Sequence, residues 1–562
     1  MVNKSDINDE SIEDNSSSNI SLVTSIERFF KSLNADEKVI ELAEEIQKQT
    51  ETGQTAIDSI PLKKEADDKF ISSDGSKGYI VQTAGLSGFR RTFKHEMAIK
   101  KSFESSQSSP LAFNEVSMAL AKVVEISHYR PEEELDLQWQ ACLSALHHSR
   151  FVLSGGPGTG KTTTIIRLML LYLTLHPQKS IALCAPTGKA ANRMMQSISQ
   201  TLKSIELSTR LPEQLLEQLQ QPAKTIHRFL AYNYQTNGLK YTANNPLPFD
   251  LVIVDESSML DVHMTHALLC ALKPEAHLVL LGDENQLPSV EAGNVFADLC
   301  SLLKPSKHSN LLHYYSGKEK NNTQLEIDNC VALKKNYRFQ SGSIVAQLCE
   351  NTLKQDWQAI NKLSETNQFQ WSNPNTIKEK IKHLSQWYNS IPAGETSILL
   401  SPVNYGFNSV QELNQLAKEI LYNKQNYHEG MPVIVNKNDY TLEVFNGDIG
   451  TMTYWKDDIN SAARNTWQLQ FEQEGQTKSI NLEAINSWSQ ANAISIHKSQ
   501  GSEYDHVLIA LPNETELEIL SNALLYTALS RARKTITLWS EPSMLEKALF
   551  NKEKRQTFMN SL

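Results

Sequence analysis

The sequence predicts an α/β protein: two parallel-sheet domains, a small β insertion in the second, and a small helical region ahead of both. Three features carry that reading. The runs "RFVLSGG", "SIALCAPTG", "FDLVIVDES" and "HLVLLGDEN" are short and apolar, end in polar residues, and each lead into a helical pattern. Beyond Asn336, "TSILLSPVN", "ANAISIHKSQG", "HVLIALP" and "KTITLWS" repeat the scheme, with helical stretches such as "SVQELNQLAKEILY" between them. Residues 431–489 differ: they are rich in Val, Ile, Thr and aromatics and carry an Asn446-Gly447 turn. Strands alternating with helices imply parallel sheets covered on both faces, whereas an Asn-Gly turn marks an antiparallel hairpin.

Size and composition bound the rest. A chain of 562 residues is too long for one domain, and 40% hydrophobic with 21% charged residues is enough to bury several cores. The longest apolar run, Ile165 to Leu175, is interrupted by Arg167 and reads as amphipathic, so no membrane span is expected. The start is acidic and Ser-rich and lacks a basic-then-apolar leader, so the expected location is cytoplasmic. Six scattered cysteines with no C-x-x-C pair read as inert thiols in a reducing compartment. A net charge of −10 argues mildly against nucleic acid as partner, although a basic channel is compatible with an acidic exterior.

Residues 1–20 hold five acidic residues, five serines and one lysine, and are expected to be disordered. From Asp36, a capping residue, Val39, Leu42, Ala43 and Ile46 recur on one helical face. A second helical stretch, "FRRTFKHEMAIKKSFES", ends at the polar linker "SSQSSPLAF". Residues 21–113 are therefore read as a helical N-terminal domain, 114–330 as the first α/β domain and 331–562 as the second. Asn237-Gly238, flanked by tyrosines, predicts a hairpin near 231–248 within the first.

The chemistry concentrates at the strand ends. Gly155, Gly156, Pro157, Gly158, Thr159, Gly160, Lys161 and Thr162 fit G-x-x-x-x-G-K-[ST], followed by Thr163, with a strand before and a helix after. Such a loop turns backbone N–H groups onto phosphates. Its lysine reaches the β/γ-phosphates of ATP, and its hydroxyl, here Thr162, binds Mg2+. Asp255 and Glu256 close the strand "LVIVDE", where Asp255 would share the Mg2+ and Glu256 would polarise the attacking water. Gln286 in "GDENQLPSV" is placed to sense the γ-phosphate. The second α/β unit has no phosphate loop but supplies Arg338 in "NYRF" and Arg531 in "ALSRAR". Two arginines reaching across from a separate lobe would put ATP in a cleft that opens and closes with hydrolysis. These residues describe a nucleotide hydrolase that is a switch, a kinase or a motor.

The ordered set "SGGPGTGKTTT", "CAPTGKAANRM", "TIHRFL", "LVIVDESSMLD", "LVLLGDENQLPSVEAG", "LKKNYRF", "FNGDIG", "AISIHKSQGSEYDHVLI" and "LLYTALSRAR" resembles the motifs of superfamily 1 helicases. Within that superfamily it is similar to the RecD family, the alpha subunits of exodeoxyribonuclease V. The resemblance spans roughly residues 135–540. It implies two RecA-like motor domains with a β-barrel-like insertion, and an ATP-dependent 5′→3′ DNA helicase acting on single strands and duplex ends. It also implies RecB-like and RecC-like partners in a bacterial heterotrimer that repairs double-strand breaks, with an N-terminal segment docked on a partner. By motif, Gln140 reads adenine, and Gly501 and Glu503 approach the nucleotide. Pro186, Thr187, Gly188, Lys189, His227, Asn404, His497 and Lys498 fall in DNA-contacting motifs. A stand-alone relative and a nucleotide-gated DNA-binding scaffold remain the alternatives. With no cluster of metal-binding carboxylates outside the ATP site, nuclease activity is expected from a partner.

Overall fold

The computed structural model describes residues 25–59, 69–106, 111–126, 137–204, 213–233, 238–303, 311–317, 327–338, 342–364, 366, 368–439, 441–455, 466–473, 476–513, 519–552 and 555–562. The expected disordered tail, linker residues 107–110, and Tyr234 with the hairpin tip lie outside them.

The first α/β domain is a six-stranded parallel sheet. Its strands run Cys330–Leu333, Arg150–Gly155, His277–Gly282, Leu251–Val254, Ile181–Ala185 and Lys224–Thr225 in spatial order. Leu251–Val254 and Ile181–Ala185 are buried at every position, as continuous apolar runs demand when helices cover both faces. The helix Lys161–Leu175 is not amphipathic as expected. It is buried from Thr164 to Leu173, sharing one core with helices Leu137–His147 and Phe113–Ile126. Arg167 survives burial because its Nη1 donates to Gln138 Oε1 at 2.7 Å and its guanidinium lies over Trp139. Cys330–Leu333 pairs with Val152–Gly155, so the first sheet runs past the expected boundary at 330. Long-range pairing alone assigns such a four-residue strand to its sheet.

The second α/β domain is a five-stranded parallel sheet in the order Phe369–Ser372, Ala532–Trp539, Tyr504–Ala510, Ser397–Ser401, Ala493–Ser495. Inserted in it is a five-stranded antiparallel sheet in the order Gln476–Asn481, Thr466–Gln473, Ile449–Trp455, Pro432–Val435, Trp488–Gln490. Val433, Val435, Met452, Leu469 and Phe471 form its core. Among the described residues no ladder closes its two edge strands into a barrel.

The N-terminal region is mixed rather than helical. Beside helix Glu37–Glu51, capped by Asp36, stands a four-stranded sheet of Ile57–Asp58, Leu86–Phe89, Ile80–Thr83 and Ile71–Ser72. Strands of two to four residues are too short to display a period of two, which is why the sequence pattern misses them. Helix Arg90–Glu104, expected to dock on a partner, spends its apolar face inside the chain: Ile99 and Phe103 join Val262, Leu268 and Ala271 of the first α/β domain in one core. Residues 555–562 return from the second domain to this junction. Phe558 packs edge-on against Phe93 at 5.0 Å, and Gln556 O accepts the backbone N–H groups of Thr55 and Ala56. The last residues of the expected 331–562 unit therefore belong to the packing of the other two domains.

No helix among the described residues is long and apolar enough to cross a membrane.

Candidate active site

Parallel strands bring all their carboxyl ends to one edge of the first sheet, the edge at which such folds hold ligands. There Gly155 runs into the phosphate loop. Gly158 and Gly160 have φ of +77° and +82°, and a Cβ on Gly160 would lie 2.2 Å from Gln138 Nε2, so glycine is required on both counts. Lys161 opens the following helix, and its Nζ donates to Gly155 O at 2.5 Å and Gly156 O at 3.3 Å. The loop is thus closed on its own lysine.

Asp255 and Glu256 follow the strand two places away. Asp255 Oδ1 accepts Glu256 N at 2.9 Å, and Glu256 sits in left-handed backbone with φ of +51°, a strained conformation of a kind that gathers at active sites. Burial, and then the neighbouring Glu256, push the Asp255 carboxyl up to about 6 against the pull of Lys161. Gln286 closes a third side. Its Nε2 donates to Asp283 Oδ2 at 3.2 Å, while its buried Oε1 has no hydrogen-bond partner among the described residues.

The second α/β domain supplies the far wall. Arg531 is buried, and its guanidinium donates to Thr527 O, Ser502 O and Ser530 Oγ at 3.0, 3.2 and 2.9 Å. Glu503 is surrounded by Arg193, Arg338 at 2.7 Å and Arg533 at 3.2 Å. Burial opposes its charge, but the arginines outweigh burial and hold the carboxyl below its ordinary range.

A cavity of about 350 Å³ brings together Gly156, Pro157, Gly158, Thr159, Gly160, Lys161, Thr162, Thr163, Asp255, Glu256, Gln286, Arg338, Gly501, Glu503 and Arg531. Two expected residues lie off it. Gly155 contributes its carbonyl to Lys161 from behind the loop. Gln140 is buried on helix Leu137–His147, and it is Gln138, two residues earlier, that donates to Thr159 O at 3.1 Å.

Arg338 does not come from the second sheet as expected. It leaves the first sheet two residues after Asn336, whose Nδ2 donates to Pro157 O at 2.6 Å, and Tyr337 N donates to Gly158 O at 2.8 Å. Asn336 therefore clips this segment onto the phosphate loop, and Arg531 is left as the arginine that crosses the cleft. Sequence reasoning also passed over Arg193, Tyr337, Asp283 and Tyr526. All four stand within quoted motifs, but only tertiary packing reveals their contacts.

The lobes meet through the loop that carries Gln286. Leu287 N donates to Thr527 Oγ1 at 2.8 Å, Gln500 Nε2 to Leu287 O at 2.9 Å, and Tyr526 Oη to Asp283 Oδ2 at 2.9 Å.

A separate groove of about 730 Å³ runs between the first α/β domain and the insertion. Pro186, Thr187, Gly188 and His227 line one side, Phe445 and Asn446 the other, and the Arg228 guanidinium lies over the Phe445 ring at 4.3 Å. The other expected DNA residues lie elsewhere. Asn404 is exposed beyond strand Ser397–Ser401, His497 heads a short turn, and Lys498 Nζ donates to Asn436 Oδ1 at 3.0 Å. Lys189 turns away from the groove and buries its Nζ beneath it.

Residues 138–292 match the family model described as an AAA domain, and residues 490–539 match the UvrD-like helicase C-terminal domain. The RecBCD enzyme subunit RecD of Haemophilus influenzae is 29% identical over 522 residues, covering 83% of this chain and 77% of that protein. The subunit of the same name from Mycolicibacterium smegmatis is 28% identical over 447 residues, or 75% of this chain and 73% of that one. The ATP-dependent RecD2 DNA helicase of Deinococcus radiodurans is 28% identical over 407 residues, 69% of this chain but 46% of the relative. Among solved structures, Bacteroides Pif1 bound to ssDNA aligns with 74% of this chain and 94% of its own at 17% identity, with a TM-score of 0.41. The two family models fall on opposite walls of the same cavity, one on the phosphate loop and one on the Gly501–Arg531 side, and the likeness that runs over most of the chain is to RecD subunits: the chain is a RecD-like, ATP-dependent superfamily 1 DNA helicase.

Proposed function

We propose that this chain is the 5′→3′ DNA motor of a RecBCD-type exodeoxyribonuclease V, coupling ATP hydrolysis to travel along one strand at a broken duplex end. The observation that carries the reading is the crossing of Arg531 from the second lobe into the cavity of the phosphate loop, beside a loop hydrogen-bonded to both lobes.

In this reading Lys161 exchanges the Gly155 and Gly156 carbonyls for the β/γ-phosphates. Thr162 and Asp255 fit Mg2+, because a hydroxyl and a buried carboxylate face the loop from two sides; the ion would neutralise phosphate charge. Glu256 takes a proton from the attacking water, and Gln286, with its unpartnered Oε1, orients that water. Arg531 and Arg338 offset charge on the transferring phosphoryl group. Arg531 reaches the phosphate from the far lobe, so nucleotide binding pulls the lobes together and hydrolysis releases them. The groove between Thr187, His227 and Phe445 suits a single strand, with polar groups for the backbone and an aromatic ring for stacking. RecB-like and RecC-like subunits are the proposed partners, the nuclease is expected on one of them, and the setting is the bacterial cytoplasm. The basic outer face of helix Arg90–Glu104 is the part of the N-terminal region left for docking.

The test is strand displacement by the purified chain, alone and with its co-purified subunits, on substrates tailed at the 5′ or 3′ end. The expected result is single-strand-stimulated ATP hydrolysis, unwinding only from 5′ tails, and loss of both in Lys161→Gln. Hydrolysis indifferent to DNA, or unwinding from 3′ tails, contradicts the proposal.

A further inference from the structure

Lys189 follows the groove residues Thr187 and Gly188, yet its ammonium faces the other way. Its Nζ is shut off from solvent and has no hydrogen-bond partner among the described residues. An unpaired ammonium is costly to bury, and a position that keeps one is a candidate anion site. Burial, followed by the repulsion of nearby Arg193, pulls its proton affinity down to about 8 against the attraction of Asp448.

The Lys189 side chain lines a second cavity of about 310 Å³, with its ammonium buried in the wall. Arg193 forms part of its wall, and Arg533, about half exposed, stands in its lining towards solvent. Two carboxylates also face it. Glu503 is already matched by Arg193, Arg338 and Arg533, and Asp448 accepts the Phe445 N–H at 2.8 Å. With Lys189, Arg193 and Arg533 set against Glu503 and Asp448, the lining carries one more positive than negative side chain.

This second cavity shares Arg193, Gly501 and Glu503 with the nucleotide cavity. The partition between them is thin: the Arg193–Glu503 ion pair and the donation of Arg193 Nη1 to Gly501 O at 2.8 Å. Arg193 also lines the nucleotide cavity, so a γ-phosphate there competes with Glu503 for the guanidinium that closes the partition.

We propose that the second cavity is a holding site for inorganic phosphate, through which the hydrolysis product leaves by the back of the nucleotide cavity, with Lys189 as its principal ligand and Arg533 near its mouth. The inference rests on the ATP-hydrolysing reading of the first cavity. No bond is made or broken in the step. Orthophosphate, already formed, exchanges the Lys161 loop for Lys189 while ADP remains in place.

The experiment is equilibrium binding of radiolabelled inorganic phosphate to the full chain carrying Lys161→Gln, which weakens the first phosphate site. Phosphate binding is expected to persist there, to weaken at least about tenfold on adding Lys189→Met, and to recover with Lys189→Arg, since a charge-assisted contact is worth that factor. In the chain with Lys161 intact, Lys189→Met is expected to relieve inhibition by phosphate while leaving inhibition by ADP unchanged. Phosphate affinity indifferent to Lys189→Met overturns the site. Equal loss in Lys189→Arg also overturns it, because local packing rather than charge would then be responsible. A wild-type chain that binds phosphate at this site but hydrolyses no ATP would instead overturn the enzymatic reading beneath it.

Discussion

Tyr526 of the second motor domain donates its phenolic hydrogen to Asp283 Oδ2 of the first at 2.9 Å, and both groups are buried. Burial, reinforced by the Asp283 charge, raises the phenol far above its ordinary range, so the hydroxyl is a donor at every working pH. A Cβ placed on Gly156 would lie 3.0 Å from the same oxygen. One hydroxyl therefore touches the phosphate loop and, through Asp283, the loop that carries Gln286. A displacement in either first-lobe loop is felt directly by helix Asn522–Leu529, which leads into Arg531.

Tyr526→Phe removes that contact and keeps the ring. Asp283 retains Asn285 N at 3.1 Å and Gln286 Nε2 at 3.2 Å, so the fold should persist. The expected outcome is a fall in kcat of about tenfold or more, with ATP affinity within about threefold, corresponding to one lost hydrogen bond to a charged group. Steady-state hydrolysis with single-stranded DNA, alongside a nucleotide titration, measures both. Unchanged kcat would mean that the lobes communicate elsewhere.

Arg531→Ala should bind ATP and turn it over at least about 100-fold more slowly, within the range for an arginine on a transferring phosphoryl group. Arg531→Lys should not restore the rate. The native guanidinium makes three directed donations, a geometry that a single ammonium does not reproduce. Single-turnover hydrolysis separates the chemical step from nucleotide release.

Deleting residues 235–240 should leave DNA-stimulated hydrolysis within about twofold and reduce unwinding about tenfold or more, if the hairpin of Tyr232–Asn233 and Gly238–Leu239 splits the duplex. Its Tyr232 ring already stands edge-on to His227 in the groove wall. Equal unwinding by the deletion variant would retire that role.

The N-terminal junction should carry a pH dependence of stability. Burial drives the Glu96 carboxyl up to about 8 and, with less effect, the Asp298 carboxyl up to about 7. Both are protonated in the fold but ionise near 4 when the chain unfolds. Stability is therefore fullest in acid and is lost progressively as pH rises from about 4 through these raised values. Glu96→Gln mimics the protonated form, because one amide N–H can meet Thr55 Oγ1 while the oxygen accepts Phe558 N. Thermal unfolding between pH 5 and pH 9 should show a flatter profile for the variant. Parallel profiles would place the dependence elsewhere.

Parts of this protein are legible in its sequence for local reasons. The Gly155–Thr162 loop, Asp255 and Gln286 sit at strand ends within a few residues of an apolar run, so period and punctuation locate them. The antiparallel insertion was legible through its Asn446-Gly447 turn and its β-branched composition. The N-terminal sheet was not, because its strands are shorter than any recognisable repeat. Arg338 was assigned to the wrong lobe because the strand before it, Cys330–Leu333, joins a sheet whose nearest member lies far back in the chain. Lys189 reads as a DNA contact because it falls in a DNA-contacting motif at a strand end, whereas its Nζ is buried near Asp448 and Arg193.

Local order along the chain was enough to specify the phosphate-binding chemistry, since a glycine's dihedrals and a strand's apolar run depend on neighbours a few positions away. Which lobe delivers each guanidinium, how Glu503 gathers Arg193, Arg338 and Arg533, and where the ammonium of Lys189 is buried were decided by folding in three dimensions. Those contacts join residues up to several hundred positions apart, and charges that meet only after collapse leave no periodic trace beforehand.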